Sequence, residues 1–454
     1  MKAIERIKAI LFKGNTRSVR VKKNVLLTIL IKVAGMLIGF IYMPLSLDYL
    51  GQIKFGIFLT MLSIIDWFLN FDIGIGQGLR NKFGESVVRK GNRDAVYYVS
   101  TAYFVLGAII AAVTVTLLIL NFSLPWASWL NIPLDLQSEV KILGAIIIIA
   151  FGIRFIAGNI YEIFYAMQKM AYVEFFQFLS KATFLVFILL IPFIATESLL
   201  LFGAANSLTF ALVPLIVGLY YFSSKFSAYR PSVKYVKMKY FKDLFSLSSK
   251  FFLIKIAMLI IHQTNNILIA LFVSLESVPQ YEAAYKYMSI FMLLFVILNN
   301  QLWPSNTEAY AKGDLVWMKK MMRALLKIWF ATLVLATLMV VISPFVYELW
   351  FQKTPLYIPM AISISVAVSI CLTTWVNMYN IVLNGTGKIK LQMYTWLFAA
   401  FINIPISLFL VEVIDLGVVG IVLGTVASLI PLAIVAPIQV NKILSKKDIG
   451  IWAK

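Results

Sequence analysis

The 454-residue sequence is short of charge, cysteine and histidine, and each shortage excludes a class of protein. Only 13% of the residues are charged and 61% are hydrophobic, whereas a soluble domain carries about a quarter charged residues. The single cysteine, Cys371, excludes an intramolecular disulfide and a cysteine-based metal site. The single histidine, His262, excludes multi-histidine metal sites. No glycine-rich phosphate loop is present either, so neither a metal site nor a catalytic site is expected.

Long hydrophobic runs are abundant, and they predict an all-α polytopic membrane protein. A transmembrane helix needs about 20 apolar residues, and the alternation typical of a β-barrel is absent. Helices are then the remaining way to satisfy every backbone polar group in lipid. Twelve segments qualify as spans: 24–47, 55–78, 96–120, 142–165, 173–192, 198–222, 245–273, 283–305, 324–342, 358–384, 391–410 and 418–440.

The charges that remain are mostly positive and lie mostly on one side of the predicted membrane. The chain has 40 Lys and Arg against 20 Asp and Glu. With the N-terminus in the cytoplasm, 30 of the cations fall in cytoplasmic segments and only Lys54, Lys141 and Lys353 fall outside. Both termini are therefore predicted to be cytoplasmic. Residues 1–23 are expected to lead into a retained first helix and not to form a signal peptide, and no nucleic-acid partner is expected.

Twelve spans divide naturally into two halves of six. A shift of 228 residues pairs Gln52 with Gln280 and Gly56 with Ala284, in each case in the region between the first two spans of a half. Because six is even, both halves have the same orientation, and a pseudo-two-fold axis along the membrane normal relates them. The predicted organisation is a basic N-terminal segment (1–23), an N-lobe (24–222), a cytoplasmic linker (223–244), a C-lobe (245–440) and a cytoplasmic tail (441–454).

Seven cations lie inside the predicted spans and need another explanation than topology. A charged side chain at membrane depth faces a cavity or a partner, because exposure to lipid is costly. Several of them continue polar stripes at helical spacing, such as Arg154 with Glu162 and Lys255 with His262. We therefore expect a cationic cavity between the halves; a purely structural set of salt bridges to Asp66, Asp72, Glu162 and Glu174 is the competing interpretation. The candidate anion-binding residues are Lys32, Arg154, Lys181 and Lys255, which lie deep in spans, together with Lys250 and Lys286.

Such a cavity suits an anion, and phosphate groups are bound well by both Arg and Lys. The candidate residues for proton or sodium coupling are Asp66, Glu162 and His262, although each could equally be the buried partner of a nearby cation or amide. Amides and aromatic faces also suit carbohydrate, and ordinary helix packing is the alternative role for them. The candidate sugar contacts are Asn265, Asn266, Trp375 and Asn377.

Two local runs now carry a family resemblance: LGQIKFG at residues 50–56 and DIGIGQGLRN at residues 72–81. With twelve spans in two halves, the chain resembles the Wzx-type polysaccharide flippases of the MATE/MOP superfamily. The resemblance implies a transporter that moves an undecaprenyl-pyrophosphate-linked oligosaccharide from the cytoplasmic to the outer leaflet of the bacterial inner membrane by alternating access, for O-antigen or other polysaccharide synthesis. It also implies coupling to a proton or sodium gradient, no organic cofactor, and a polysaccharide polymerase and chain-length regulator as candidate partners.

Two other functions remain open at this point. A MATE-type multidrug exporter would have the same fold, but it mostly extrudes organic cations, which a cationic cavity repels. A membrane-embedded polysaccharide polymerase or glycosyltransferase would usually carry its catalytic residues on a large extramembrane loop, and no connection here exceeds about 20 residues.

Overall fold

The computed structural model describes residues 16–69, 75–88, 93–245 and 249–453. In these ranges the chain forms helices and no β-strand. Short 3₁₀ and π segments connect or extend some of them. The longer helices are α1 (Thr16–Leu69), α2 (Ile75–Val88), α3 (Arg93–Ser123), α4 (Gln137–Ala157), α5 (Asn159–Ala166), α6 (Met170–Leu190), α7 (Leu199–Ser223), α8 (Met238–Phe245), α9 (Ser249–Gln263), α10 (Asn265–Phe272), α11 (Ser277–Met288), α12 (Met292–Ala311), α13 (Leu315–Trp350), α14 (Met360–Thr386), α15 (Lys390–Leu408) and α16 (Gly417–Leu444).

Within the described ranges, ten helices are long and apolar enough to cross a membrane, which confirms the all-α polytopic fold class. The first of the ten covers residues 26–68 and contains most of the first two predicted spans. The predicted span 283–305 is divided between α11 and α12 by the 3₁₀ turn Ser289–Phe291. The layout of twelve spans in two lobes remains a prediction.

Two further predicted spans are broken, at Gly158 between α4 and α5 and at Thr264 between α9 and α10. Each break carries a side chain that bonds carbonyls of the preceding turn. Asn159 Nδ2 donates to the carbonyl oxygens of Phe155 and Ile156, at 3.3 and 3.0 Å, and Thr264 Oγ1 donates to the carbonyl of Ile260. Side chains that enter the backbone ladder are a recognised cause of helix kinks. Hydropathy averaged over a whole span does not reveal them, although polar residues stand at both breaks, such as Asn159 beside Gly158 and Gln263 and Asn265 beside Thr264.

The chain divides into two compact units. Unit 1 comprises Met1–Tyr49, Asp72–Ala127 and Leu134–Ser248, and unit 2 comprises Leu50–Phe71, Ser128–Pro133 and Ser249–Lys454. The division passes through α1, so that its N-terminal part belongs to unit 1 and its C-terminal part to unit 2. The predicted N-lobe, in contrast, keeps residues 50–71 with the rest of 24–222.

Two glycines of the LGQIKFG run suit its place at the boundary between the two units, which lies between Tyr49 and Leu50. Gly51 has φ 70° and ψ 175° inside α1, a backbone conformation that costs an L side chain more than it costs glycine. Gly56 lies against the backbone of unit 2, where a β-carbon would come within 2.0 Å of the carbonyl oxygen of Leu275. The first glycine therefore permits the kink, and the second permits close packing after it.

Each unit has its own aromatic-rich core. In unit 1, Phe164 packs edge-on against Tyr221, with ring centroids 4.8 Å apart, and both belong to a buried cluster with Leu79 and Phe83. In unit 2, Trp396 is fully buried among residues of α9, α14 and α16. Because lipid tails are as apolar as leucine, close packing and hydrogen bonds, and not removal from water, stabilise such contacts in the membrane.

The predicted linker, 223–244, is packed onto unit 1. The backbone N–H of Lys237 donates to Thr101 Oγ1 at 3.2 Å, and Tyr240 Oη donates to Asp94 Oδ1 at 2.8 Å. The ring of Tyr240 also stacks on Tyr97, with centroids 5.3 Å apart. Burial together with the hydrogen bond to Asp94 raises the pKa of Tyr240 to about 12. The segment is therefore a docked part of unit 1, where the sequence suggested only a basic linker.

Candidate functional site

One ion pair of unit 1 joins α1 to α6. Lys32 Nζ lies 3.1 Å from Glu174 Oε1, and the Glu174 side chain is only 10% exposed. A buried carboxylate is costly unless a cation and hydrogen bonds compensate it. Lys32, a predicted anion ligand, thus has a carboxylate partner in this structure, as the salt-bridge interpretation of the sequence allows.

Lys181 extends the same α1–α6 contact. It lies seven residues after Glu174 on α6, and a β-carbon at Gly35 of α1 would lie 3.6 Å from Lys181 Nζ. Gly35 is one helical turn from Lys32, so α1 and α6 bring two predicted cations and one carboxylate together. The lack of a side chain at Gly35 leaves room for the Lys181 ammonium group.

A second ion pair of unit 1 contains a residue that the sequence analysis did not select. Arg80 Nε donates to Glu162 Oε2 at 3.0 Å, and the Arg80 guanidinium also lies over the ring of Tyr165, 4.1 Å from its centroid. Arg80 follows the predicted span 55–78, in a cytoplasmic segment where the sequence explains cations by membrane orientation alone. Its place within the DIGIGQGLRN run was the available signal.

Arg154 and the two ion pairs are linked by tyrosines of α5. Tyr165 interacts electrostatically with Glu174, Glu162 and Arg80, while Tyr161 interacts with Arg154. The Arg154 guanidinium lies 5.3 Å from the centroid of the Phe210 ring. We call this set the unit 1 charged layer; it contains four cations and two carboxylates and so keeps a surplus of two positive charges. Its charged members are Lys32, Arg80, Arg154, Glu162, Glu174 and Lys181.

The predicted residues of unit 2 have a different environment, made chiefly of amides and hydroxyls. Asn265 Nδ2 donates to Tyr281 Oη at 2.9 Å, and its Oδ1 accepts from Thr425 Oγ1 at 3.2 Å. Both side chains of this second contact are buried. Asn265 therefore ties α10 to α11 and α16.

Asn266 is the neighbouring buried amide and carries the one acidic contact of this network. Its Nδ2 donates to Ser63 Oγ at 2.8 Å and to Glu282 Oε1 at 2.5 Å. Its Oδ1 is buried with no hydrogen-bond partner in the described part of the chain. Glu282 lies just before the predicted span 283–305 and is not among the predicted site residues, whereas α11 begins at Ser277. The i, i+4 spacing between Glu282 and Lys286 was the signal that could have found it. We call Ser63, Asn265, Asn266, Tyr281, Glu282 and Thr425 the unit 2 amide network.

The other candidates of unit 2 are the remaining predicted cations, His262, Trp375, Asn377 and Asp66. Lys255 and Lys286 are half-buried. His262 Nε2 is buried without a hydrogen-bond partner among the described residues. Trp375 Nε1 donates to the carbonyl of Ala433 at 3.0 Å. Asn377 and, on the C-terminal part of α1, Asp66 are half-buried, and the side chain of Lys250 lies outside the described residues.

Trp375 belongs to the packing core of unit 2. Its ring lies 4.6 Å from that of Trp329 and 5.0 Å from that of Tyr379, measured between centroids. An aromatic residue held on several sides, with its only donor already bonded, is better placed to fix the helices than to stack on a sugar. Its sugar contact remains a prediction.

The sequence matches a known protein family and two curated proteins. A family model described as "Polysaccharide biosynthesis protein" matches residues 21–306. The chain is 23% identical over 395 residues to the "Putative O-antigen transporter" of Salmonella typhi, covering 84% of this chain and 87% of that protein. It is 20% identical over 414 residues to the "Putative O-antigen export protein" of Yersinia pseudotuberculosis, covering 87% and 90%.

Among solved structures, an inward-facing multidrug transporter of the MATE family and MOP superfamily matches with a TM-score of 0.77 at 12% identity, covering 94% of this chain and all of that one. At this identity the match shows the fold. The curated relatives are transporters and export proteins, in agreement with the prediction of a transporter and not an enzyme. The chain has the fold of MATE-family transporters, and it belongs to the polysaccharide biosynthesis protein family, in agreement with the predicted resemblance to polysaccharide flippases.

Proposed function

We propose that this protein moves an undecaprenyl-pyrophosphate-linked oligosaccharide from the cytoplasmic to the outer leaflet of a bacterial inner membrane by alternating access, for O-antigen or related polysaccharide synthesis. The family and the names of the relatives support the polysaccharide role. The single structural observation that carries the headgroup assignment is the surplus of positive charge in the unit 1 charged layer. A group of ionisable residues at membrane depth marks a substrate or ion pathway, and a group in which cations outnumber carboxylates favours an anionic substrate.

In this proposal the pyrophosphate takes over cations that carboxylates hold in its absence. Glu174 pairs with Lys32, and Glu162 pairs with Arg80. Phosphate oxygens accept several charge-assisted hydrogen bonds at once, so the headgroup would compete with the carboxylates for these two cations. The remaining ligands proposed for the headgroup are Arg154 and Lys181 of the same layer and Lys250, Lys255 and Lys286 of unit 2.

Ion coupling follows from the same competition. Protonation of Glu162 would weaken its bond to Arg80 and free the guanidinium for the anion. Asp66 and His262 stay proposed coupling residues, and the buried Nε2 of His262 supports a proton role for it. A protonophore should abolish export if protons drive it, whereas collapse of the sodium gradient alone should do so if sodium drives it.

The sugar would contact unit 2 in this proposal, with Asn377 as the least constrained of the proposed contacts. Asn265, Asn266 and Trp375 already donate to protein groups, so they would have to exchange a bond to bind carbohydrate. The bilayer holds the polyprenyl tail, and the termini face the cytoplasm, as the 30 to 3 distribution of cations supports. A polysaccharide polymerase and a chain-length regulator are the proposed protein partners.

The test is complementation of a flippase-deletion strain by single alanine variants at Lys32, Arg154, Lys181 and Lys255. The variants should lose surface polysaccharide at normal protein level, and Lys→Arg variants should be milder. Lys225, an exposed lysine outside the spans, supplies the control variant Lys225→Ala. Full complementation by all four alanine variants would refute the headgroup assignment. Efflux of organic cations by the wild-type protein would favour the exporter alternative.

A further inference from the structure

A groove of about 460 Å³ runs between α13 and α14 in unit 2. Its α13 side includes Trp329, Leu333 and Val340, and its α14 side includes Ile364 and Val368. Ile364 and Val368 are 47% and 45% exposed, so the groove lies on the outer surface of these two spans. From Trp329 to Val341 it follows α13 for about 18 Å at 1.5 Å per residue.

The side chains that line the groove are almost all apolar. Apart from the thiol of Cys371, its side-chain polar groups are the indole N–H of Trp329 and the hydroxyl of Thr337. The indole donates to the carbonyl of Cys371 at 3.0 Å, and the hydroxyl donates to the carbonyl of Leu333 at 2.9 Å. With its donors bonded inside the protein, the groove suits hydrocarbon. Its length is close to the hydrocarbon thickness of one leaflet, about 15 Å.

Cations stand on the same side of α13 below the groove. In an ideal α-helix, residues 18 apart point in the same direction, because they are separated by five full turns. Lys319 therefore shares the direction of Thr337, and Arg323 shares that of Val341, both of which line the groove. Lys319 and Arg323 are exposed, and Arg323 lies about 9 Å along the axis from Trp329. The charge distribution of the chain puts this end of α13 at the cytoplasmic surface.

From this arrangement we infer that the α13–α14 groove is a binding site for an anionic phospholipid of the cytoplasmic leaflet. One acyl chain lies along the groove from Val341 to Trp329. The phosphate lies below Trp329 and accepts hydrogen bonds from Arg323 and Lys319. An acyl chain spans one leaflet, as the groove does, whereas a polyprenyl chain continues well beyond it. The site is separate from the charged layer that the proposed export function uses.

Binding is tested on the full-length protein by native mass spectrometry with phosphatidylglycerol and phosphatidylcholine, and by crosslinking to phosphatidylglycerol that carries a photoreactive acyl chain. Wild type should bind phosphatidylglycerol more tightly than phosphatidylcholine, with crosslinks within residues 329–372. Each of Lys319→Gln and Arg323→Gln should lower the affinity for phosphatidylglycerol by about fivefold. Lys320→Gln, on the same helix in the direction of Leu338, should leave this affinity unchanged.

A second experiment fills the groove with a larger side chain. Val368→Trp should abolish the crosslinks, whereas Val334→Trp, at an exposed position of α13 that does not line the groove, should retain them. Three results would overturn the inference: equal binding of the two phospholipids, crosslinks that persist in Val368→Trp, or displacement of bound phosphatidylglycerol by equimolar undecaprenyl phosphate. The last result would assign the groove to the polyprenyl chain.

Discussion

The two units differ in the polar groups that their helices bring together inside a membrane protein. Unit 1 brings full charges together, in the Lys32–Glu174 and Arg80–Glu162 pairs with further cations beside them. Unit 2 has an amide and hydroxyl network in which Glu282 is the only charged member. Neutral hydrogen bonds fix helices without attracting ions, whereas a surplus of charge creates a demand for a counter-ion. In the function proposed above, the difference gives anion binding chiefly to unit 1 and packing chiefly to the unit 2 network.

The largest expected effect comes from removing one member of the Lys32–Glu174 pair. Lys32→Met leaves the buried Glu174 carboxylate without this cation, a loss of stability of about 3–5 kcal/mol. Glu174→Met, which leaves the half-buried Lys32, should cost less. The double variant, with two apolar residues, should regain most of that stability, which thermal unfolding of the purified protein measures.

Export separates the structural and functional roles of this pair. The stable double variant should still fail to export polysaccharide, because a pyrophosphate ligand is missing. Full export by the double variant would show that the pair is structural only and would remove the contrast between the units.

Gly56 gives the next largest effect, within unit 2. Gly56→Ala places a β-carbon 2.0 Å from the carbonyl oxygen of Leu275, and overpacking of this kind costs about 1–3 kcal/mol or more. Gly39→Ala is the matched control on α1, since its β-carbon would meet only Tyr42, at 3.9 Å. Similar unfolding temperatures for the two variants would contradict the close packing of Gly56.

Asn266 should matter for stability more than for transport. Asn266→Ala leaves Ser63 and Glu282 without their donor, at a cost of about 1–3 kcal/mol, and export should fall only in proportion to protein level. Asn377→Ala should do the reverse, lowering export at unchanged stability. If Asn266→Ala abolishes export at normal protein level, the unit 2 amide network also handles substrate.

The smallest effect is a pH dependence at the docked segment of unit 1. Because the pKa of Tyr240 is raised from 10 to about 12, its contribution to stability is present below pH 10 and is lost as the pH rises through about 12. The unfolding temperature of wild type should fall over this interval more than that of Tyr240→Phe. Parallel curves for the two proteins would contradict a raised pKa of Tyr240 in the folded protein.

The sequence predicted the class of fold and the unusual cations, because hydropathy and charge at membrane depth are strong physical signals. It did not predict the breaks at Gly158 and Thr264, because the hydropathy of a whole span does not resolve a local interruption by a few polar residues. It missed Arg80 and Glu282 because both lie near predicted span ends, where edges are uncertain and charges are common. The partners of Lys32 and Asn266 could not be read from spacing either, since Glu174 and Ser63 come from other helices.

The central claim is that the surplus charge of unit 1 binds a pyrophosphate headgroup, and a direct binding measurement tests it. Affinity for undecaprenyl pyrophosphate is measured with the protein in nanodiscs, for wild type, Arg154→Ala, Lys181→Ala and the control Lys225→Ala. The account predicts that each of the first two variants binds about tenfold or more weakly, as loss of a charged hydrogen bond of about 1.5–3 kcal/mol implies, and that the control binds like wild type. Equal affinity in all four proteins would contradict it.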